Sequence, residues 1–285
     1  MSNDFAFHIR RMTQDEVGSV AVEWAAQEGW NPGLNDAVSF YAADPDGFLV
    51  GLLNDEPVAC ISAVSYPGSF AFLGFYIVAP NCRGKSFGLR IWEAAMTRLQ
   101  HFNIGLDGVV GQQKNYIKSG FRLAYNNTRY EGTAMHTDLH HPEIVPIQEL
   151  PFDELVQYDA RHFPAVRSVF LKHWFSQPES TSLAVIHKGR IAGIGHLRKC
   201  RLGYKIGPLF ADTPDMAAQL FYALGNYAAP GTKLYLDTPE INPIAVKLAE
   251  SFGMEKVFST ARMYTKYQPD IDINQVYGVT SFELG

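Results

Sequence analysis

The chain predicts an α/β protein made of two similar halves, each a mixed, mostly antiparallel sheet flanked by helices. Three observations carry this. Short strands joined by hairpin turns alternate with helical stretches. A strand, a tight basic turn and a helix follow one another from Ser69 to Met96. Finally, Leu248-Ala249-Glu250-Ser251-Phe252-Gly253-Met254 lines up with Asn115-Tyr116-Ile117-Lys118-Ser119-Gly120-Phe121, and each copy leads into a strand. At 285 residues the chain is long enough for two cores.

Phe5 to Arg11 is expected as a strand, and Thr13 followed by Glu16 forms a capping box for a helix through Trp24 and Ala26. Asn31, Pro32 and Gly33 are turn residues. Trp30 either pins that turn or walls an acceptor pocket, with Glu28 facing an amine. Asp36 to Ala42 reads as a second helix. Phe48–Leu53 and Val58–Tyr66 are strands about a turn at Asn54, Asp55 and Glu56, which makes that pair antiparallel. The aromatic and β-branched run Phe70–Val78 is a buried strand, stopped by Pro80. Leu89, Ile91, Trp92 and Met96 then recur at helical spacing. Ile104–Val110 is a further strand, whose glycines make sense where something approaches its backbone closely. Gln112–Gly120 is a short helix with Gly120 at its left-handed end, and Phe121–Tyr130 is the strand expected to close this half.

Between strand and helix, Arg83, Gly84, Lys85, Ser86, Phe87 and Gly88 form a glycine-bearing turn. Free N–H groups at a helix start, the helix dipole and two cations make an anion cradle there. The plainer alternative is a solvated connection. The turn has neither the three-glycine dinucleotide fingerprint nor the lysine–serine/threonine ending of a nucleotide-triphosphate loop.

Arg83-x-x-Ser86-x-Gly88 resembles the acyl-CoA-binding motif of the GCN5-related N-acetyltransferases (GNAT). Tyr116-x-x-x-Gly120-Phe121 resembles the second signature of that family, and the two occur in the family's order. The chain is also similar to family members with two acetyltransferase-like halves. The resemblance implies acetyl-CoA (coenzyme A) as cofactor, its pyrophosphate held at Arg83–Gly88, its pantetheine arm along Phe75, Tyr76, Ile77 and Val78, and Asn115 and Tyr116 close by. It implies direct transfer to an amine within a ternary complex, with Tyr116 protonating the departing thiolate and Glu28 taking the amine's proton. Glu28, Trp30 and Asp107 are the expected acceptor contacts, Asp107 being the second choice of base. Without the resemblance, Tyr116 reads as an amphipathic core tyrosine.

Gly132–Pro146, polar and carrying His136, His140 and His141, is the connector; the halves are placed at 1–135 and 147–285, with 136–146 between them. The histidines are read as surface residues and no metal is expected. Phe152–Asp159 and Val166–Trp174 read as helices, Ser182–His187, Ile191–Leu197 and Tyr204–Phe210 as strands. Met216, Leu220, Phe221 and Leu224 mark the helix Asp215–Tyr227; Leu234–Asp237 is a strand and Asn242–Phe252 a helix. Ala249 replaces Tyr116 in the second copy, and Phe210–Asp215, with two aspartates, replaces Arg83–Gly88. The first half is therefore expected to bind CoA and the second to cover the acceptor pocket. Val276–Leu284 is expected to dock as a late strand.

A net charge of −5 argues against non-specific nucleic-acid binding, and no apolar run is long enough for a membrane span. The N-terminus does not look like a secretory signal. Cys60, Cys82 and Cys200, widely spaced, suit a reducing, cytoplasmic setting; Cys60 or Cys82 as a covalent nucleophile is the weaker mechanism. The expectation is an N-acetyltransferase acting on a small amine or amino acid, as monomer or homodimer. The alternatives are an acyl-CoA-binding sensor and a protein N-acetyltransferase.

Overall fold

The computed structural model describes residues 7–136 and 143–285; Phe5, Ala6, His140 and His141 lie outside them. β1 (Phe7–Arg11) leads to Thr13, whose side chain and that of Glu16 cap each other's backbone as the sequence predicts. The helix beyond is broken into α1 (Gln14–Glu16), a π-helical stretch Val17–Val22 and α2 (Glu23–Gln27). α3 (Asp36–Ala43) follows. β2 (Phe48–Leu53), β3 (Glu56–Ser65) and β4 (Phe70–Val78) form an antiparallel meander. α4 (Phe87–Arg98), β5 (Asn103–Val109), α5 (Gln113–Lys118) and β6 (Arg122–Thr133) complete the first repeat.

The second repeat begins with β7 (Ile144–Pro146), a strand where the sequence suggested only connector. It continues through α6 (Phe152–Asp159), α7 (Ser168–Trp174), β8 (Ser180–His187), β9 (Arg190–Lys199) and β10 (Tyr204–Ala211). α8 (Pro214–Gly225), β11 (Lys233–Pro239), α9 (Pro243–Ser251), β12 (Glu255–Tyr264) and β13 (Val276–Gly278) end it. In α8, Leu220, Phe221 and Leu224 are buried on the face that the spacing marked.

All strands join one sheet, ordered β1-β2-β3-β4-β5-β12-β6-β11-β10-β9-β8-β7, with β13 on β10. The order is symmetric about the β12–β6 pair, as a duplication requires. It also corrects the expectation that each half is closed by its own last strand. β6 lies between β12 and β11, and β12 lies between β5 and β6, so the repeats exchange their closing strands. One aromatic core, including Phe40, Phe48, Phe72, Phe75, Trp174, Tyr264 and Phe282, runs through both.

β4 and β5 pair in parallel from Phe70/Asn103 to Leu73/Leu106 and then part. The register of β4 on β3 shifts in the same place, between Ile77 and Gly74, and Phe75 takes φ 47°, a left-handed conformation costly for a bulky residue. This bulge turns Gly74–Val78 away from β5 and leaves an open strand edge. β10 and β11 repeat the design: they pair from Tyr204/Leu234 to Ile206/Leu236, β10 slips register on β9 between Ile206 and Leu209, and the strands part. Here the gap is filled by β13, which pairs Gly278 with Leu209 and Val276 with Phe210. The Val279 N–H donates to Asp237 O across the same gap. One repeat keeps its cleft, and the other is closed by the chain's own tail.

Candidate active site

The open cleft between the parted ends of β4 and β5 measures about 680 Å³. Gly74–Val78 form one wall; Leu106–Val109 and Tyr116 form the other. Arg83, Gly84, Ser86 and Gly88 lie at the start of α4 along the rim. Ser86 precedes that helix with φ 64°, and Gly84 has φ 75° with open space where a Cβ would stand. A Cβ at Gly88 would lie 2.8 Å from the Tyr76 hydroxyl, so glycine lets α4 approach β4 closely. The turn brings the start of α4, which has no side-chain cap hydrogen bond at Ser86, to the edge of the cleft.

The glycines of β5 are explained by close approach, as anticipated. A Cβ at Gly108 would fall 2.2 Å from the Tyr116 ring, and one at Gly105 would meet Phe72 and Tyr264 at 3.0 Å. Tyr116 packs beside Trp92, ring centroids 5.7 Å apart, and Trp92 packs on Tyr76 at 5.2 Å. Burial, with the neighbouring Tyr76 second, pushes the Tyr116 phenol up to about 12. At neutral pH it is a proton donor.

Twelve of the fifteen residues expected to hold cofactor or acceptor line this cleft: Glu28, Trp30, Phe75, Tyr76, Ile77, Val78, Arg83, Gly84, Ser86, Gly88, Asp107 and Tyr116; Cys82, named as a candidate nucleophile, lines it too. Lys85, Phe87 and Asn115 do not. The Phe87 ring stacks on Phe7 at 4.9 Å in a separate apolar cluster, and Asn115 donates to Gln112 at the surface. Lys85 is exposed at the rim.

Two expected roles meet a different geometry. Glu28 forms an ion pair with Arg83, whose Nε also donates to Val78 O at 2.9 Å. The carboxylate expected to take a proton and the guanidinium expected to meet a phosphate thus neutralise each other. Asp107 is buried under the cleft and held by Arg262 of β12 through bonds of 2.9 and 2.6 Å, with Asn127 at 2.8 Å. It is a structural anion, because freeing it from Arg262 would leave an unpaired buried charge. Cys60 is fully buried, donates to Phe75 O and has its thiol pushed up by burial, which removes it as a nucleophile.

The cleft is also lined by residues the sequence did not flag as site residues: Phe258 and Thr260 of β12, and Phe282 and Glu283 of the tail. The tail is firmly placed. Arg167, paired with Asp159, donates to Thr280 Oγ1 at 2.7 Å; Asn242 donates to Val276 O; Tyr66 donates to Leu284 O. A Cβ at Gly74 would lie 2.0 Å from Glu283 O, so only glycine lets the tail cross β4. Trp30 proves both a pocket wall and part of a pinned turn: Arg129 donates to its carbonyl, and Asn31 exchanges hydrogen bonds with the backbone of Leu202. No group of residues suited to hold a metal occurs among the described residues.

A strand pair parted at a bulge, with a helix N-terminus at its mouth and a protonated phenol inside, is a group-transfer architecture. The Acetyltransferase (GNAT) family matches residues 15–115, and the Acetyltransferase (GNAT) domain matches residues 155–278. A holothin acyltransferase from Pseudoalteromonas sp. (strain SANK 73390) is 32% identical over 276 residues, 95% of this chain and 92% of the relative. The crystal structure of a candidate acetyltransferase from Pyrococcus horikoshii superposes with a TM-score of 0.82 at 22% identity, covering 100% of this chain and 99% of the other. A tandem GNAT protein from the clavulanic acid biosynthesis pathway superposes at 0.62 with 13% identity, over 91% and 98%. The chain belongs to the GNAT acetyltransferase family as a tandem, two-domain member, and it is an acyl-transferring enzyme.

Proposed function

We propose that the protein moves an acetyl group from acetyl-CoA to a small primary amine by direct transfer in the first-repeat cleft. The observation that carries this is the contrast between the two clefts: β4 keeps an open edge from Gly74 to Val78, whereas the equivalent edge of β10 is paired to β13. The residues fit the cofactor. The N-terminus of α4 with Gly84 and Ser86 suits a pyrophosphate, and Lys85, which has no ion pair among the described residues, adds a cation. The open edge of β4 suits amides, and Leu73, Trp92 and Leu106 give apolar contact. Acetyl-CoA supplies a thioester carbonyl for the amine to attack and a sulfur to leave.

The chain's own contribution is positioning and proton transfer. A β4 N–H polarises the carbonyl, Tyr116 gives its proton to the departing sulfur, and Arg83 is released toward phosphate from Glu28. The aromatic walls and the lid of tail and β12 favour a small acceptor over a polypeptide; the relative's name, holothin acyltransferase, is in keeping with that. A cytoplasmic location suits such an enzyme, and no helix among the described residues is long and apolar enough to cross a membrane.

Titration with acetyl-CoA, followed by CoA release against pooled amines, tests the reading. Saturable binding that is lost in Arg83→Ala/Lys85→Ala, together with amine-dependent release, is expected. Binding without release across the pool would favour a sensor, and absence of binding would overturn the reading.

A further inference from the structure

Arg83 is held at two points. Its Nε donates to Val78 O at 2.9 Å, and its Nη2 pairs with the carboxylate of Glu28, the residue that closes α2. The direction of that carbonyl matters. The Ala79 N–H donates to Val58 O of β3. In a planar trans peptide the C=O and the following N–H point opposite ways, so the Val78 carbonyl faces away from β3, toward the open edge. The Arg83 side chain therefore lies on the edge of β4, at the end nearest the start of α4.

Glu28 and Arg83 belong to different walls, the end of α2 and the turn after β4, and both line the cleft. No other hydrogen bond or ion pair of the Glu28 carboxylate occurs among the described residues. The side chains keep 33% and 51% of their surface exposed, so the pair is wet enough to part at modest cost. A phosphate offers the same guanidinium fork a bidentate, charge-assisted partner. While the pair is closed, however, an arriving phosphate meets a cation already neutralised, with a carboxylate beside it.

We propose that Glu28 is a positioning residue that latches Arg83 over the cofactor's track, so that the phosphate of CoA has to displace a carboxylate before Arg83 can serve it. This rests on the acetyl-transfer reading of the cleft. Glu28 then sets cofactor affinity in opposition to Arg83. The phosphate that draws Arg83 away also bares the strand edge that the pantetheine amides need. Seating one part of the cofactor thus admits the other, a coupling that runs both ways.

Calorimetric titration of CoA into the wild-type protein, Glu28→Gln, Arg83→Gln and the double variant tests this. Glu28→Gln keeps the side chain's size and should bind CoA about two- to fivefold more tightly than wild type, the scale of a half-exposed ion pair. Arg83→Gln should bind it more weakly, and adding Glu28→Gln to Arg83→Gln should change nothing further. Unchanged or weaker binding by Glu28→Gln would overturn the latch. So would a gain of the same size in the Arg83→Gln background, which is what plain repulsion between Glu28 and phosphate would give. Should Arg83→Gln bind too weakly to titrate, the ¹⁵N resonance of Arg83 Nε, assigned by its loss in Arg83→Gln, decides. It is expected to move when CoA saturates the wild-type protein, and to be displaced in the same direction in ligand-free Glu28→Gln; a resonance that CoA leaves unmoved overturns the proposal. Absence of CoA binding by the wild-type protein and by Glu28→Gln would instead mark failure of the acetyl-transfer reading, and the latch would fall with it.

Discussion

Tyr116 reaches the cleft through the space left by Gly108, and burial keeps its phenol protonated, with its midpoint pushed up to about 12. Tyr116→Phe is therefore expected to lower kcat about a hundredfold or more while acetyl-CoA affinity is preserved. In the wild-type protein this group should give no fall in rate from pH 7 to 10, because the phenol ionises only above that window. Equal kcat in the two proteins across that range would remove Tyr116 from the chemistry. Ser86 carries a second prediction at this scale. Its φ of 64° is a conformation that glycine adopts at little cost, so Ser86→Gly should be neutral or stabilising by up to about 1 kcal/mol, read from chemical denaturation. Its acetyl-CoA affinity should be at least that of the wild-type protein. The sequence made Tyr116 legible because its spacing to Gly120 and Phe121 is a local pattern. It could not reveal Glu283, since nothing local says that the tail lines this cleft. The misplaced residues have a related cause: a turn motif fixes the backbone, while alternate side chains such as Phe87 are free to face away.

Elements were easier to read than their neighbours in the sheet. Period and turn chemistry located nearly every helix and strand, and the unexplained glycines of β5 marked a close approach before its partner was known. What stayed hidden was the bulge in β4 and the destination of the tail, because both depend on strands distant in sequence. The crossing at Gly74 tests their coupling. A Cβ there would sit 2.0 Å from Glu283 O, between backbones that have no rotamer with which to yield. Gly74→Ala is expected to destabilise the protein by about 1–3 kcal/mol, as for other overpacking changes. It should also raise KM for the amine more than the dissociation constant of acetyl-CoA, since the displaced tail carries Phe282 and Glu283. Gly111→Ala, where a Cβ meets nothing within 4 Å, is the control and should change neither. A Gly74→Ala protein with wild-type stability and amine kinetics would show that the tail does not set the acceptor pocket.

At the scale of the whole molecule, the duplication visible in the sequence describes repeats whose strands interleave in one sheet. β12 supplies the neighbour of β5 and the Arg262 that pairs Asp107, yet it comes from the far end of the chain; β6 supplies the neighbour of β11 in return. A first repeat cut at residue 135 would lose the strand between β5 and β6, expose edges on both, and leave Asp107 buried without its cation, a loss of about 3–5 kcal/mol on its own. Domains usually hold only about 5–15 kcal/mol in total. We therefore propose that 1–135 and 147–285 are sequence repeats that fold together. The intact chain should unfold in a single cooperative transition. Fragment 1–135 alone should lack a sigmoidal denaturation curve, and co-expression with 147–285 should restore both that curve and acetyl-CoA binding. If the isolated fragment instead unfolds cooperatively and binds acetyl-CoA, the exchanged strand is dispensable to the site. The exchanged strands predict the reverse, because Phe258, Thr260, Phe282 and Glu283, which line the cleft, all arrive with the second repeat.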